Sequence, residues 1–589
     1  MTVDVFVRPP ATPGELLGGD GSAANPFHAV QKGITEADAH GGGNVHLFGG
    51  HFVEPVKLSN IGNPDHPILV RPVDGGGEVF IEACLPEFLP PQPTDPWQPA
   101  AGGVPGEFES VSHFDKLVNL GAFYDEPAHT RLVSYAEVDD LRSNNQRWPD
   151  DEGNVVWKLE PGTTDIFIPG DKRRPFVYMG PGIWFDERPG ERRIHLRLAP
   201  TTNNIPDWPD FDPSESDPNL LRLALSAANS HAIFLKFCHN IQFQNLTLRF
   251  GNPDTVRLNS CSDIVFDHCH IRSGSRAIFL PTEDGRKNEN IRIEHCEIDG
   301  GLPTWFFRSD RKDTYLRGPD GQPEATKAEL HEHKLGYATS GVQISGDAGC
   351  VGVVVHHCEI VNAHDSYVFG YGMEFHHNWV HNLNDDGIAL SAVAETNEAK
   401  IYCNVLTQCL TALSFASNTA VGPVYIYGNL IDLRQPTLSK RPPVAGASDS
   451  LKQGHFFKDG ANEGPIDLFH NTLLVHDPGL LGDDLDDANR VGFAYFSTIG
   501  LSESRTAFNN IMVAVFTPGA VKPIAFLAPQ ELPDRNRREH VLPDPAERPD
   551  PPVRGALQEC DSRGTELRRP QGISTALLAA GRHRRLRGK

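Results

Sequence analysis

The chain has 589 residues, 39% of them hydrophobic, with 55 glycines and 48 prolines, the composition of a folded, turn-rich protein. Its formal charge of -24 excludes a general nucleic-acid binder, and no apolar run approaches the roughly 18 residues that a membrane span needs. The ten cysteines form no CxxC pair, which argues against a zinc site or a disulfide framework and for free buried thiols.

The opening residues, Met1 to Pro10, lack a basic start followed by an apolar stretch. The expectation is a cytoplasmic chain, or a secreted one whose leader has been removed. Asn25-Pro-Phe followed by residues 29–39 reads as an amphipathic helix with proline in its first turn, placed to cap exposed strand edges. Asn44-Val-His-Leu-Phe and Pro67-Ile-Leu-Val-Arg read as strands behind it, completing a first segment over 1–83. From 84 to 221 the pattern changes. Trp97, Trp148, Trp157, Trp184 and Trp208 fall here, and 177–185 and 193–198 alternate around a turn at 186–190 like a hairpin. The stretch is expected to be an inserted β-rich, sandwich-like domain whose tryptophans fill its core, with stacking on a ligand at a cleft edge as the other reading.

Between 222 and 515 a short alternating segment recurs: IQFQNLTL from Ile241, IVFDHCHI from Ile264, IRIEHCEI from Ile291, VVVHHCEI from Val353, MEFHHNWV from Met373, AKIYCNVL from Ala399, VYIYGNLI from Val424, IDLFHNTL from Ile466 and RTAFNNIM from Arg505. Alternation over such short runs marks strands with one buried face. Recurrence every roughly 20–27 residues in most of the repeat marks units that bury that face against one another. The fold expected is all-β, a right-handed parallel β-helix. Aligned, the segments share a turn column: Leu246, Cys269, Cys296, Cys358, Asn378, Asn404, Asn429, Asn471 and Asn510. Stacked at about 4.8 Å, the asparagines are expected to form a hydrogen-bonded ladder. His268, His295, His357 and His377 form the column before it. A metal reading competes there with turn chemistry, and repetition at one structural position favours the turn. Residues 516–589, rich in arginine and proline from Glu531, carry no hydrophobic period and are expected to be disordered.

Seven residues past the turn column stand Arg276, Pro303, Asp365, Asp385 and Thr411. Two consecutive rungs therefore carry an aspartate in one column, with His364 before the first and Asp386 after the second. Like charges one strand apart require an explanation. The aspartates could accept backbone hydrogen bonds in a turn, act as paired carboxylates on a glycosidic bond, or form a Ca²⁺ site from Asp365, Asp385 and Asp386. An excursion over 300–339 carries Trp305, Arg308, Arg311, Lys312, His331 and His333 and leaves the rung before Asp365, so it is expected to roof the column. With Arg276 and His364 these are the candidate substrate-binding residues.

The rung pattern over 20–82 and 225–515 resembles the pectate-lyase-like superfamily of right-handed β-helix proteins. That resemblance implies a carbohydrate partner and lyase, hydrolase or epimerase activity. Asp365 followed by Asn384-Asp385-Asp386-Gly-Ile is similar to part of the polygalacturonase aspartate signature, although Thr411-Ala-Leu-Ser stands where that family's next motif would be. The early insertion resembles the layout of β-xylosidases of glycoside hydrolase family 120. Together these imply a glycoside hydrolase of oligosaccharides, without cofactor, using Asp365, Asp385 and Asp386. Asp385 as the partner of Asp365 suits a retaining pair, and Asp386 an inverting one. A Ca²⁺-dependent polysaccharide lyase and a non-catalytic glycan-binding solenoid are the alternatives. No nucleic-acid or membrane partner is expected, and the oligomeric state is not readable from the sequence.

Overall fold

A computed structural model describes residues 3–515 with interruptions, the longest being 201–215, 303–341, 435–456 and 477–493; residues 516–589 lie outside it. Among the described residues, parallel strands build three sheets of twelve, eleven and ten strands. One turn of the chain visits each sheet once. Ser262–Asp267 lies in the first, His270–Arg272 in the second and Arg276–Leu280 in the third, after which Arg292–Glu294 returns to the first. This is the right-handed parallel β-helix that the repeat requires. Alternate side chains point inward, so Ile264, Phe266, Ile271, Ile278 and Leu280 of this one turn are all fully buried. A single rung cannot enclose such residues, and each stacked neighbour covers them.

The turn column forms the expected ladder. Asn404 donates its backbone N–H (3.0 Å) and its Nδ2 (2.9 Å) to Oδ1 of Asn429, and Asn429 repeats both bonds to Asn471 at 3.1 and 2.9 Å. The second amide proton of each goes to a carbonyl of the previous rung, Phe375 and Ile401 respectively. Each amide is thus saturated in a site buried from solvent. In earlier rungs Cys269, Cys296 and Cys358 fill the position as free buried thiols. The preceding column is a left-handed turn position: His268, His295, His357 and His377 have φ of 52, 54, 55 and 56°. Histidine is one of the few non-glycine residues enriched there.

At the N-terminus the helix Val30–Ala39 packs on the first strands through Val30, Gly33, Ile34 and Ala37. Pro26 lies outside it, contrary to the sequence expectation; Glu54, in the loop after the strand Gly50–Phe52, caps the helix instead, Oε1 accepting from Val30 N at 2.8 Å. The strand Val3–Val7, unforeseen in the sequence, pairs in parallel with Gly43–Leu47 and opens the first sheet. The N-terminal segment hardly alternates in polarity beyond its two buried valines, which explains the omission.

The insertion holds a five-stranded sheet, which includes the expected hairpin of Gly182–Phe185 with Ile194–Arg197. Val118–Phe123 pairs with Leu223–Ala227 as a second layer, and both layers share a core that contains Trp97, Val118, Ile183, Ile194, Leu196 and Leu225. Trp97 is therefore a core residue, and Trp184 lies against His195 at 5.0 Å. The side chains of Trp148, Trp157 and Trp208 lie outside the described residues. Glu107, in the strand Glu107–Ser110 of this sheet, carries one of several buried carboxylates. Burial alone would raise the Glu107 carboxyl, but His195 at 2.8 Å, Arg142 at 2.8 Å and the Val104 N–H at 3.0 Å hold it down to about 2.

Two outcomes follow from these networks. Asn429→Leu strips Asn404 of the acceptor for two donors and should cost about 2–4 kcal/mol, read as a lower denaturant midpoint, whereas loss of an exposed asparagine should cost less than about 0.5 kcal/mol. Glu107 is ionised in the fold well below its ordinary value of 4.5, so its contribution to stability is present above that pH and is lost as pH falls towards 2. The stability gap between wild type and Glu107→Gln, followed by urea unfolding, should therefore be widest at neutral pH and narrow steadily below pH 4.5.

Candidate active site

The column singled out in the sequence lies at the start of the third-sheet strands, on the corner where each rung leaves the second sheet. Asp254 pairs with Arg276, and Val342 pairs with Asp365. Tyr367 pairs with Ile388, which sets Asp365 opposite Asp386, and Asp386 pairs with Thr411. Asp386, and not Asp385, is therefore the in-register neighbour of Asp365. The reason is the length of the corner. Ala363 pairs with Leu383, but two steps lead from Ala363 to Asp365 and three from Leu383 to Asp386. Asn384 and Asp385 themselves lie outside the described residues. Val342 likewise holds the position assigned to Pro303, because the excursion comes before the strand begins; Pro303 is also outside the described residues.

The two aspartates are held by hydrogen bonds across the rungs. Asp386 N donates to Asp365 Oδ1 at 2.9 Å, and Ser414 Oγ donates to Asp386 Oδ2 at 2.6 Å. Asp365 thus accepts a backbone hydrogen bond from the first residue of the next rung's strand. His364 is buried, with Nε2 3.9 Å from Asp365 Oδ2, whose side chain keeps 14% exposure. Ser366 Oγ donates to the Gly387 carbonyl, closing the rungs together. At Gly387 a Cβ would stand 2.5 Å from the Ala412 carbonyl oxygen, so only glycine lets the backbone approach this closely directly after Asp386.

Arg276 stands in the same column but is already engaged: Nε donates to Asp254 Oδ1 at 2.5 Å, and the guanidinium lies 3.7 Å from the Phe279 ring centroid. Trp305, Arg308, Arg311, His331 and His333 lie outside the described residues.

Sequence reasoning passed over two residues. Ser414, which orients Asp386, sits in the Thr411-Ala-Leu-Ser stretch and looked like ordinary strand sequence. Asp299, buried at the same corner one rung ahead of Asp365, accepts from Gly301 N (2.8 Å), Asn362 Nδ2 (3.1 Å) and Arg272 (2.7 Å). Burial pushes its carboxyl above the usual value against the opposing pull of Arg272. A signal existed: Asp299 follows Glu82, Arg249 and Arg272 in one column, a run of charged residues of both signs that ends at Val361 in the next rung.

The insertion docks along this same corner. Arg131 NH1 donates to the Gly274 carbonyl at 2.7 Å, its backbone N–H to Gly301 O at 3.2 Å, and Asn252 Nδ2 donates to Asn119 Oδ1 at 2.7 Å. These contacts cover the corners of the rungs ahead of Asp365. The insertion thereby forms a wall on the N-terminal side of the aspartates.

No family model and no curated protein matches the sequence. Among solved structures the chain is similar to a glycoside hydrolase, at 10% identity over 88% of this chain and 97% of that one, with a TM-score of 0.43. A lacto-N-biosidase of glycoside hydrolase family 136 from Eubacterium ramulus matches at 10% identity over 87% and 68%, TM-score 0.35. PfbA, a surface adhesin of Streptococcus pneumoniae, matches at 11% identity over 83% and 87%, TM-score 0.33. At such identities a shared solenoid says nothing of chemistry.

Proposed function

We propose that the chain is a carbohydrate-active enzyme, a glycoside hydrolase of oligosaccharides, with Asp365 and Asp386 as its paired carboxylates. The observation that carries this reading is the register. Two acidic side chains from adjacent rungs occupy one column, and the Asp365 side chain keeps 14% exposure. Neighbouring strands are about 4.8 Å apart, so carboxyl groups in register fall near the roughly 5–5.5 Å of a retaining pair. In that reaction one carboxylate attacks the anomeric carbon while the other protonates the departing oxygen; water then reverses the first step with the second group as base. Ser414 fixes the orientation of Asp386, and the Asp386 N–H that of Asp365. Because Asp386 is the in-register residue, a retaining outcome replaces the inverting one that its sequence position had suggested.

Product formation from a panel of neutral and uronic-acid oligosaccharides, with and without EDTA, tests the proposal. New reducing ends without ultraviolet absorbance, insensitive to EDTA, are expected. Asp365→Asn and Asp386→Asn should each lower kcat/KM by about 10³-fold. The first anomer detected by proton NMR should keep the configuration of the substrate. An unsaturated uronate product abolished by EDTA would assign the site to elimination, and silence across the panel would favour a glycan-binding solenoid.

A further inference from the structure

A second cluster of reactive groups lies away from the aspartates, at the turn that ends each strand of the first sheet. Two columns meet there. One runs through Asp267, Glu294, His356, His376 and Tyr402, as the strand register requires. The other is the left-handed turn column of His268, His295, His357 and His377. His356 stacks on His376 with ring centroids 5.0 Å apart and planes 4° apart, and His357 stacks on His377 at 4.9 Å and 2°. Within a rung the two rings stand nearly perpendicular, at 86° in both cases. Their Nδ1 atoms consequently face each other, 2.9 Å apart in His356–His357 and 2.8 Å apart in His376–His377.

Turn chemistry explains why a histidine tolerates the second column, but not why the first column places another imidazole nitrogen against it in two consecutive rungs. Protonation states sharpen the question. Glu294 Oε2 lies 3.0 Å from His356 Nε2, and a carboxylate there accepts the Nε2 proton and leaves the Nδ1 lone pair facing His357. A proton shared between facing nitrogens satisfies one such pair. A metal ion satisfies both lone pairs at once, and His295 brings a third ligand atom, the three lying within 4.8 Å of one another.

We propose that His295, His356 and His357 form a binding site for a divalent transition-metal ion, with the two Nδ1 atoms of His356 and His357 as adjacent ligands. The spacing selects the class of ion. With metal–nitrogen bonds of about 2.0–2.1 Å, nitrogens this close subtend roughly 90° at the metal, whereas a tetrahedral ion would hold them about 3.3 Å apart. Ninety-degree ligation by imidazole belongs to Cu²⁺ and Ni²⁺ in square or octahedral fields more than to Zn²⁺. Glu294 acts as the positioning carboxylate behind His356, and Asp267, 3.2 Å from His295 Nδ1, does the same for His295.

The test uses the full chain without an affinity tag. Calorimetric titration with NiCl₂ should show saturable binding, and the Cu²⁺ form should show nitrogen superhyperfine splitting from at least two imidazoles in its EPR spectrum. His357→Asn keeps a residue suited to the left-handed turn, and His356→Phe keeps the aromatic stack. Each should weaken Ni²⁺ binding by at least roughly tenfold and abolish the rise in Tm that Ni²⁺ gives the wild type. Absence of binding at about millimolar Ni²⁺, well above the affinity expected of a three-imidazole site, would overturn the proposal, as would an EPR spectrum of oxygen ligands alone. Unchanged affinity in both variants, with far-UV circular dichroism like that of the wild type, would also overturn it. If one variant fails to fold, the other variant and the EPR spectrum of the wild type still decide the question.

Discussion

Every functional suggestion made for this molecule depends on one constraint: parallel strands hydrogen-bonded in register, rung upon rung. Parallel pairing fixes the neighbour of each side chain above and below, so a residue type repeated at one position becomes a column with a spacing of about 4.8 Å. Inward columns are the hydrophobic core. The turn column becomes an asparagine ladder in which each amide supplies the acceptor that the previous rung needs. Outward columns bring like groups together whether or not their charges favour it. That is how two aspartates come to face each other at one corner and four imidazoles at another.

Columns of like groups must be reconciled with electrostatics, and the two corners do so differently. At the aspartates a backbone N–H and a serine hydroxyl bind the carboxylates, with His364 Nε2 3.9 Å from Asp365. Upstream in the same column the chain pairs opposite charges instead, with Arg276 and Arg257 both on Asp254. At the imidazoles burial keeps His376 neutral, so stacking replaces repulsion. The same stack continues through Tyr402, Tyr427, Phe469 and Phe508 at centroid distances of 4.6 to 5.2 Å, where no charge is at issue. The histidines are thus the polar end of an aromatic ladder.

The insertion adds what a bare solenoid lacks, a wall. A β-helix presents long, nearly flat faces, and selective recognition of a small ligand requires concavity. By anchoring Arg131 on the carbonyls of Gly274 and Gly301, the inserted sheets cover the corners just ahead of Asp365. The solenoid supplies rigidity and the insertion supplies shape, which matches the general division between scaffold and site.

Strand periodicity and the asparagine column were legible in the sequence because both are local: alternation marks a strand, and an amide at a fixed offset marks its turn. The segments from Ile241 to Arg505 fall in one sheet for that reason, and the turn histidines adopt the left-handed conformation that their column implied. Register across a corner is not local. Adding one residue between Leu383 and Asp386 leaves both flanking strands with the same pattern, so counting along the chain selected Asp385, whereas hydrogen bonding of the following strand selects Asp386. Asp299, Ser414 and the Glu294–His356 contact were hidden for a related reason. Each acts through a partner one rung away, some 20 to 60 residues distant in sequence, and only the closed turns of the solenoid bring them into contact. The sequence alone determined the repeating unit and its stacking; the tertiary structure decided which residues of successive units meet, because that depends on corner lengths that no strand pattern records.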